Sequence, residues 1–244
     1  VIDRNIVWIG PKPNLIKSMG NKDIARELAL KSNIPICPGI SNITKLNSDD
    51  LKNKCEKIGY PLLVKSSAGG GGIGMSVVQN FEDLSKSIEK TSNMAEKSFG
   101  NGDVFIEKFI TNARHIEIQI FGFGDKGAVH LYERDCSMQR RYQKIIEESP
   151  APEIDRTLIE SMANAAVKLS SDVKYQGAGT VEFIYDVEQK KYYFLEMNTR
   201  IQVEHPVTEL VTNNDLVSMQ INFAFNRKNK FLKQNNLGQY ISRG

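Results

Sequence analysis

Along residues 114–121 polar and apolar positions alternate without a break. Ile116, Ile118 and Ile120 take one side, and His115, Glu117 and Gln119 take the other. A period of two is that of an extended chain, so this segment is expected to be a strand with one face on a core. Apolar runs at 6–9, 60–65, 74–78, 104–110 and 128–133 read as further strands. Residues 179–185 and 191–197 read as a hairpin around Asp186-Val-Glu-Gln-Lys190. Helical spacing appears after Asn21, a cap residue followed by Ala25, Leu28 and Ala29. It recurs over 48–59, from about Phe81, over 153–170 (Leu158, Ile159, Met162, Ala166, Leu169) and over about 214–225. From Asn226 the chain is rich in Asn and Lys and weakly patterned. Strand blocks and helix blocks in this order predict an α+β fold rather than strict βαβ alternation.

The 244 residues suit one large domain or two small ones, with 40 % hydrophobic residues to build a core. The 32 Lys and Arg against 29 Asp and Glu leave a charge of +3, too small to make nucleic acid or an anionic membrane the main partner. No apolar run reaches the roughly 20 residues of a membrane helix. Cys37, Cys55 and Cys136 show no zinc spacing and form no disulfide framework, which fits a reducing compartment. The chain opens on Val1-Ile-Asp-Arg4 and is expected to be a piece of a longer protein.

Three segments carry candidate chemistry. Lys65-Ser-Ser-Ala-Gly-Gly-Gly-Gly-Ile-Gly-Met75 joins two expected strands, so it fits neither a Rossmann turn nor a Walker A loop. Its glycines let backbone N–H groups cradle phosphate, with Lys65 adding charge; the alternative is a flexible surface hairpin. In Glu196-Met-Asn-Thr-Arg-Ile-Gln-Val-Glu204 an extended chain puts Glu196, Asn198, Arg200, Gln202 and Glu204 on one side. Glu182 on the neighbouring strand adds a second metal carboxylate. These groups suit Mg²⁺ bound to phosphates and an anionic substrate; the alternative is a solvated sheet face. The segment 133–148 reads either as an anion site of Lys144 and the paired arginines Arg140 and Arg141, or as a surface salt-bridge run.

Together these segments resemble the ATP-grasp core of biotin carboxylases over nearly the whole chain. The resemblance is carried by Gly20-Asn-Lys22, the glycine loop, Arg114-His-Ile-Glu-Ile-Gln119, Glu133-Arg-Asp-Cys-Ser-Met-Gln-Arg-Arg141, Gln143-Lys144, Gly177-Ala-Gly-Thr180 and, most specifically, the run from Glu196 to Glu209. It implies two α+β subdomains with ATP between them. Residues 1–36 would be the remnant of an N-terminal domain with linker helices, 37–109 the lid, and 110–244 a truncated C-terminal half. Lys22 and Lys65 would hold ATP phosphates, with Gly70, Gly71, Gly72 and Met75 closing as a lid. Glu107, Lys108 and Ile110 would line the adenine, with His115, Glu117, Gln139 and Ile184 also around the nucleotide. Glu182, Glu196 and Asn198 would hold Mg²⁺ or Mn²⁺. Lys144, Arg200, Gln202, Val203 and Glu204 would bind bicarbonate, with Glu204 as general base, and Arg200 and Lys144 as the other catalytic groups.

The implied activity is ATP-dependent carboxylation of biotin through carboxyphosphate, in a biotin-dependent carboxylase such as an acetyl-CoA or urea carboxylase. Biotin would be the acceptor, and the partners would be a biotin carboxyl carrier and a carboxyltransferase. The parent would be a homo-oligomer in the cytoplasm, or in the mitochondrial matrix of a eukaryote. The rival readings are another ATP-grasp carboxylate–amine ligase and a non-catalytic nucleotide-binding module.

Overall fold

The computed structural model describes residues 1–68 and 74–225. The chain folds into two antiparallel sheets with helices against each. The smaller sheet is built from β1 (Gly39–Ile40), β2 (Leu62–Ser66), β3 (Met75–Val78) and β4 (Val104–Lys108), in the order β1-β4-β2-β3. The larger one is built from β5 (Ala113–Phe123), β6 (Ala128–Arg140), β7 (Gln143–Glu148), β8 (Gln176–Asp186) and β9 (Lys191–Asn198), in the order β7-β6-β5-β8-β9. The helices are α1 (Pro13–Gly20), α2 (Lys22–Lys31), α3 (Ser48–Ile58), α4 (Leu84–Phe99), α5 (Arg156–Asp172), α6 (His205–Thr212) and α7 (Leu216–Phe225).

Capping explains several boundaries. The Asn21 side chain accepts from the Ile24 N–H and starts α2, as the sequence predicts. Asn47 does the same for α3 through Asp50. The isoleucines of β5 pack with Val181 and Phe183 of β8 beneath Ile159, Met162, Ala166 and Leu169 of α5, forming one core. Leu62, Val64, Val78, Leu84 and Ile106 form a second core on the small sheet. The motif at 177–180 has a steric reason: a Cβ on Gly179 would lie 2.6 Å from the Tyr175 hydroxyl, whose ring fills that space.

Outside the small sheet, four segments depart from expectation. Residues 6–9 are not a buried strand; Ile6, Val7, Trp8 and Ile9 are exposed coil, because no sheet edge is paired with them. Helix α1, opened by Pro13, lies within the stretch expected to hold linker helices, but helical spacing does not locate it. Strand β6 runs seven residues past Glu133 and turns back as β7, so the dense charged segment is a hairpin. Its two-residue turn holds Arg141 and Tyr142 at φ 53° and 65°. Finally, the alternating run from Glu196 to Glu204 is strand only to Asn198; the chain then leaves the sheet and enters α6 at His205, with Pro206 in its first turn. The tail from Asn226 and the glycines 69–72 lie outside the described residues.

Candidate active site

The polar face of the large sheet carries one row of charged side chains across four strands. In register, Arg134 of β6 lies opposite Glu117 of β5, Glu117 opposite Glu182 of β8, and Glu182 opposite Glu196 of β9. A second row, Gln119, Thr180 and Asn198, runs beside it. This face is not solvated: Glu117 and Arg134 are each 0 % exposed, and Gln119, Thr180 and Glu182 are buried. Three carboxylates directly opposite one another repel. Buried charge also costs several kcal/mol per ion, of the order of magnitude expected for removal from water, unless it is paired. The row therefore depends on the cations around it.

Two cations lie within it. Lys144 reaches in from β7: its Nζ bonds Glu117 and lies 3.0 Å from Glu182 Oε1 and 2.7 Å from Glu204 Oε1. Burial works to lower the Lys144 pKa, but Glu182 and Glu117 outweigh it and raise it above the ordinary lysine range. Arg134 donates to Glu117 Oε1 (2.5 Å), Gln119 Oε1 (2.8 Å), Thr208 Oγ1 (2.7 Å), Gln202 Oε1 (3.1 Å) and Thr180 Oγ1 (3.4 Å). Glu182 Oε1 also accepts from Asn198 (2.8 Å) and Gln202 (3.2 Å). His115 Nε2 lies 3.0 Å from Glu182 Oε2, without hydrogen-bond alignment, and Gln139 bonds its other nitrogen at 2.9 Å. Burial pushes Glu182 up, yet His115 and Lys144 together hold it down at about 2. Glu204 is likewise lowered: burial opposes, and its bond from Lys144 prevails.

Two lysines stand at the other end of the row. Lys22 opens α2 and donates to Ser66 O at 3.3 Å. Lys65, on β2, pairs with Glu107 at 2.9 Å. Burial lowers both ammonium pKa values, and the charge of Glu196 acts in the opposite direction on each. Lys65 is drawn to about 8, first by burial and then by Lys22. Arg26 of α2 shares Glu107 and donates to the Cys37 carbonyl. Glu196 is raised, first by burial and then by Glu182, and its carboxylate accepts no hydrogen bond among the described residues. A carboxylate short of donors, facing a second one, with Asn198 beside them, is a donor set that fits a divalent cation bound by oxygen. At the clusters His115–Glu117–Glu182 and Glu117–Cys136–Glu204, by contrast, the Lys144 ammonium already supplies the positive charge.

The expected residues are therefore mostly brought together. Lys22, Lys65, His115, Glu117, Gln139, Lys144, Glu182, Glu196, Asn198, Gln202 and Glu204 are linked along the row, by direct bonds or, for Lys22 and Lys65, by the charge of Glu196. They converge although 199–204 is not a strand, because α6 and Arg134 fold that segment back over the row. Ile184 flanks the row opposite His115, and Met75 pairs with Lys65 in register. Glu107 turns its carboxylate to Arg26 and Lys65. Lys108 turns its side chain away, to the carbonyls of Gly59 (3.0 Å) and Tyr60 (2.9 Å), and Ile110 is half-buried in the link between the sheets. Val203 is 92 % exposed, and among the described residues the exposed Arg200 reaches only Asn198 (3.4 Å) and the Ile201 carbonyl (3.3 Å). Of the cations in 133–148, the paired Arg140 and Arg141 are exposed on the hairpin turn and do not build an anion site with Lys144; the buried partner is Arg134. Sequence reading missed Arg134, Gln119, Thr180, Thr208 and Arg26. The signal available for Arg134 was the strand's period, had β6 been continued past Glu133.

The family model for the carbamoyl-phosphate synthase L chain, ATP binding domain, matches residues 21–231. Biotin carboxylase 1 of Bacillus subtilis is 49 % identical over 220 residues, which is 90 % of this chain and 49 % of that protein. A biotin carboxylase from Campylobacter jejuni, solved as a β,γ-ATP complex, superposes with a TM-score of 0.89 at 38 % identity, covering 96 % of this chain and 52 % of that one. The biotin carboxylase domain of the Hydrogenobacter thermophilus 2-oxoglutarate carboxylase, solved with MgADP, ADP and bicarbonate, superposes with a TM-score of 0.88 at 41 % identity, covering 96 % and 51 %. The chain thus spans about half the length of these relatives. Its fold is that of biotin carboxylase ATP-grasp domains.

Proposed function

The chain belongs to the family of the carbamoyl-phosphate synthase L chain ATP-binding domain, and from that premise we propose that it is the ATP-binding part of a biotin carboxylase. The proposed reaction is ATP- and Mg²⁺-dependent carboxylation of biotin by bicarbonate through carboxyphosphate. The observation that carries this reading is Lys144, whose ammonium joins Glu204 to the Glu117–Glu182 pair beside Gln202. A carboxylate–amine ligase that activates a larger acid has no need to fix a small anion between a lysine, an amide and a carboxylate base.

On this reading the half-buried Lys22 and the buried Lys65 hold phosphate oxygens. Residues 107, 108 and 110 sit against the adenine at the link between the sheets. Glu182, Glu196 and Asn198 would hold Mg²⁺, which when bound would neutralise charge at the phosphates. Lys144, Arg200 and Gln202, with the backbone at Val203, hold bicarbonate. Glu204, kept ionised by Lys144, accepts the bicarbonate proton, a bicarbonate oxygen attacks the terminal phosphorus of ATP, and the bond to the bridging oxygen breaks so that ADP leaves and carboxyphosphate forms. The fixed ammonium and guanidinium groups stabilise the charge that gathers there. Arg200, lying in the open, is free to meet a biotin presented from outside. Biotin on a carrier domain, a separate carboxyltransferase, a homo-oligomeric parent and a cytoplasmic or matrix location complete the proposal.

The test is ATP cleavage by the full-length natural chain containing this sequence, with and without bicarbonate and free biotin. Cleavage should require both, and Glu204→Gln should abolish it. Cleavage that requires some other acid and an amine would overturn the reading in favour of the ligase. Tight MgATP binding with no cleavage under either condition would favour the nucleotide-binding module.

A further inference from the structure

The segment 201–204 has no regular structure of its own, yet it carries Gln202 and Glu204. Backbone bonds within it are local: His205 N–H to the Gln202 carbonyl at 3.3 Å and Val207 N–H to the Glu204 carbonyl at 3.2 Å. What ties it to the sheet is side chains. Lys144 takes Glu204 itself. Arg134 takes the residues on either side, Gln202 by Nη2 and Thr208, in α6, by Nη1. Both cations share Glu117, with Arg134 on Oε1 and Lys144 on Oε2.

A guanidinium has five N–H donors in a fixed plane. Here all five meet acceptors: Glu117, Gln119 and Thr180 on the sheet, Gln202 and Thr208 on the returning segment. Arg134 is wholly buried and at the row's far end from Lys22 and Lys65, so it touches neither nucleotide phosphate nor bicarbonate on the proposed reading. Losing any one contact leaves a buried polar atom without a partner.

We propose that Arg134 is a positioning residue, resting on the biotin carboxylase reading: it latches the 201–208 segment to the sheet and so sets where Gln202 and Glu204 meet bicarbonate, without bearing on nucleotide binding. Lysine keeps the charge but offers three donors on a flexible stem, so it cannot hold Glu117, Gln202 and Thr208 together with the two remaining acceptors. Thr208→Val keeps the charge and volume and removes one latch point only.

The experiment uses the full-length natural chain and compares wild type, Arg134→Lys and Thr208→Val. It reads the bicarbonate KM for ATP cleavage, the Kd for MgATP, the melting temperature and amide hydrogen exchange over 201–208. Arg134→Lys should raise the bicarbonate KM at least tenfold while the MgATP Kd stays within twofold, and exchange over 201–208 should quicken. Thr208→Val should move the same quantities the same way, about threefold in KM. An unchanged bicarbonate KM, or an equal loss of MgATP and bicarbonate binding, overturns the latch. If Arg134→Lys does not fold, Thr208→Val decides alone, and unchanged exchange and KM in it refute the proposal. If the wild type shows no bicarbonate-dependent cleavage, the functional reading fails instead; the exchange data then still decide the latch, which protection of 201–208 equal to wild type would refute.

Discussion

Glu182 and Glu196 face each other as a cross-strand pair, the first buried and the second half-buried, and among the described residues only Glu182 is supplied with hydrogen-bond donors. In the metal-free protein this pair is a source of instability. Glu196→Gln should therefore raise the melting temperature in EDTA by a few degrees, corresponding to ~1 kcal/mol for a like-charge pair relieved. The same variant should lose the stabilisation that Mg²⁺ with ATP gives the wild type. A lower melting temperature in EDTA would show that Glu196 is held by partners after all.

Stability should fall in acid, and Glu182 sets the window. Its folded pKa of about 2 lies below the unfolded value of 4.5. As pH falls from 4.5 the unfolded chain takes the proton first, so the contribution is whole above 4.5 and is lost toward 2. Glu196, raised by burial and by Glu182, has the opposite sign: its protonation in the folded state offsets part of the loss. Urea melts from pH 6 to pH 3 should show a steeper decline for wild type than for Glu182→Gln, and a steeper one still for Glu196→Gln.

Lys144→Met should be among the most damaging single changes. It leaves Glu117, Glu182 and Glu204 without their shared cation, a loss on the order of 3–5 kcal/mol for breaking a buried pair. Denaturant titration checks it. A variant as stable as wild type would mean that water already screens the cluster.

Gly179→Ala tests packing beneath the site. Its new methyl would meet the Tyr175 hydroxyl and ring at 2.6–2.8 Å. The expected cost is about 1–3 kcal/mol from overpacking. Adding Tyr175→Leu should recover part of it, so the double variant should unfold at higher denaturant than Gly179→Ala alone.

Much of the site was readable because each strand advertises its own glutamate. His115-Ile-Glu117, Thr180-Val-Glu182 and Phe194-Leu-Glu196 each set a carboxylate into an apolar strand, and period two assigns them to a face. Strand pairing then aligned them, which no single segment can state. The hairpin of β6 and β7 was harder. Its charges mimic a solvated surface run, and its turn uses Arg141 and Tyr142 where Asn-Gly is the usual signal. The apolar 6–9 run misled for the opposite reason: β-propensity there finds no partner strand among the described residues. Helix α6 hid behind His205-Pro206, which reads as a turn until the proline is placed at a helix start.

The cross-strand row also bears on how the chain folds. Glu117 and Glu182 are separated by 182 − 117 = 65 residues, so their pairing is slow loop closure rather than a local event. If β5 met β8 before the β6–β7 hairpin docked, two bare carboxylates would be pressed together with neither Arg134 nor Lys144 at hand. The large sheet is therefore best assembled from the hairpin side inward, with the cations laid down first. A chain caught without that hairpin should refold faster in mild acid or in high salt, where the glutamates no longer oppose one another.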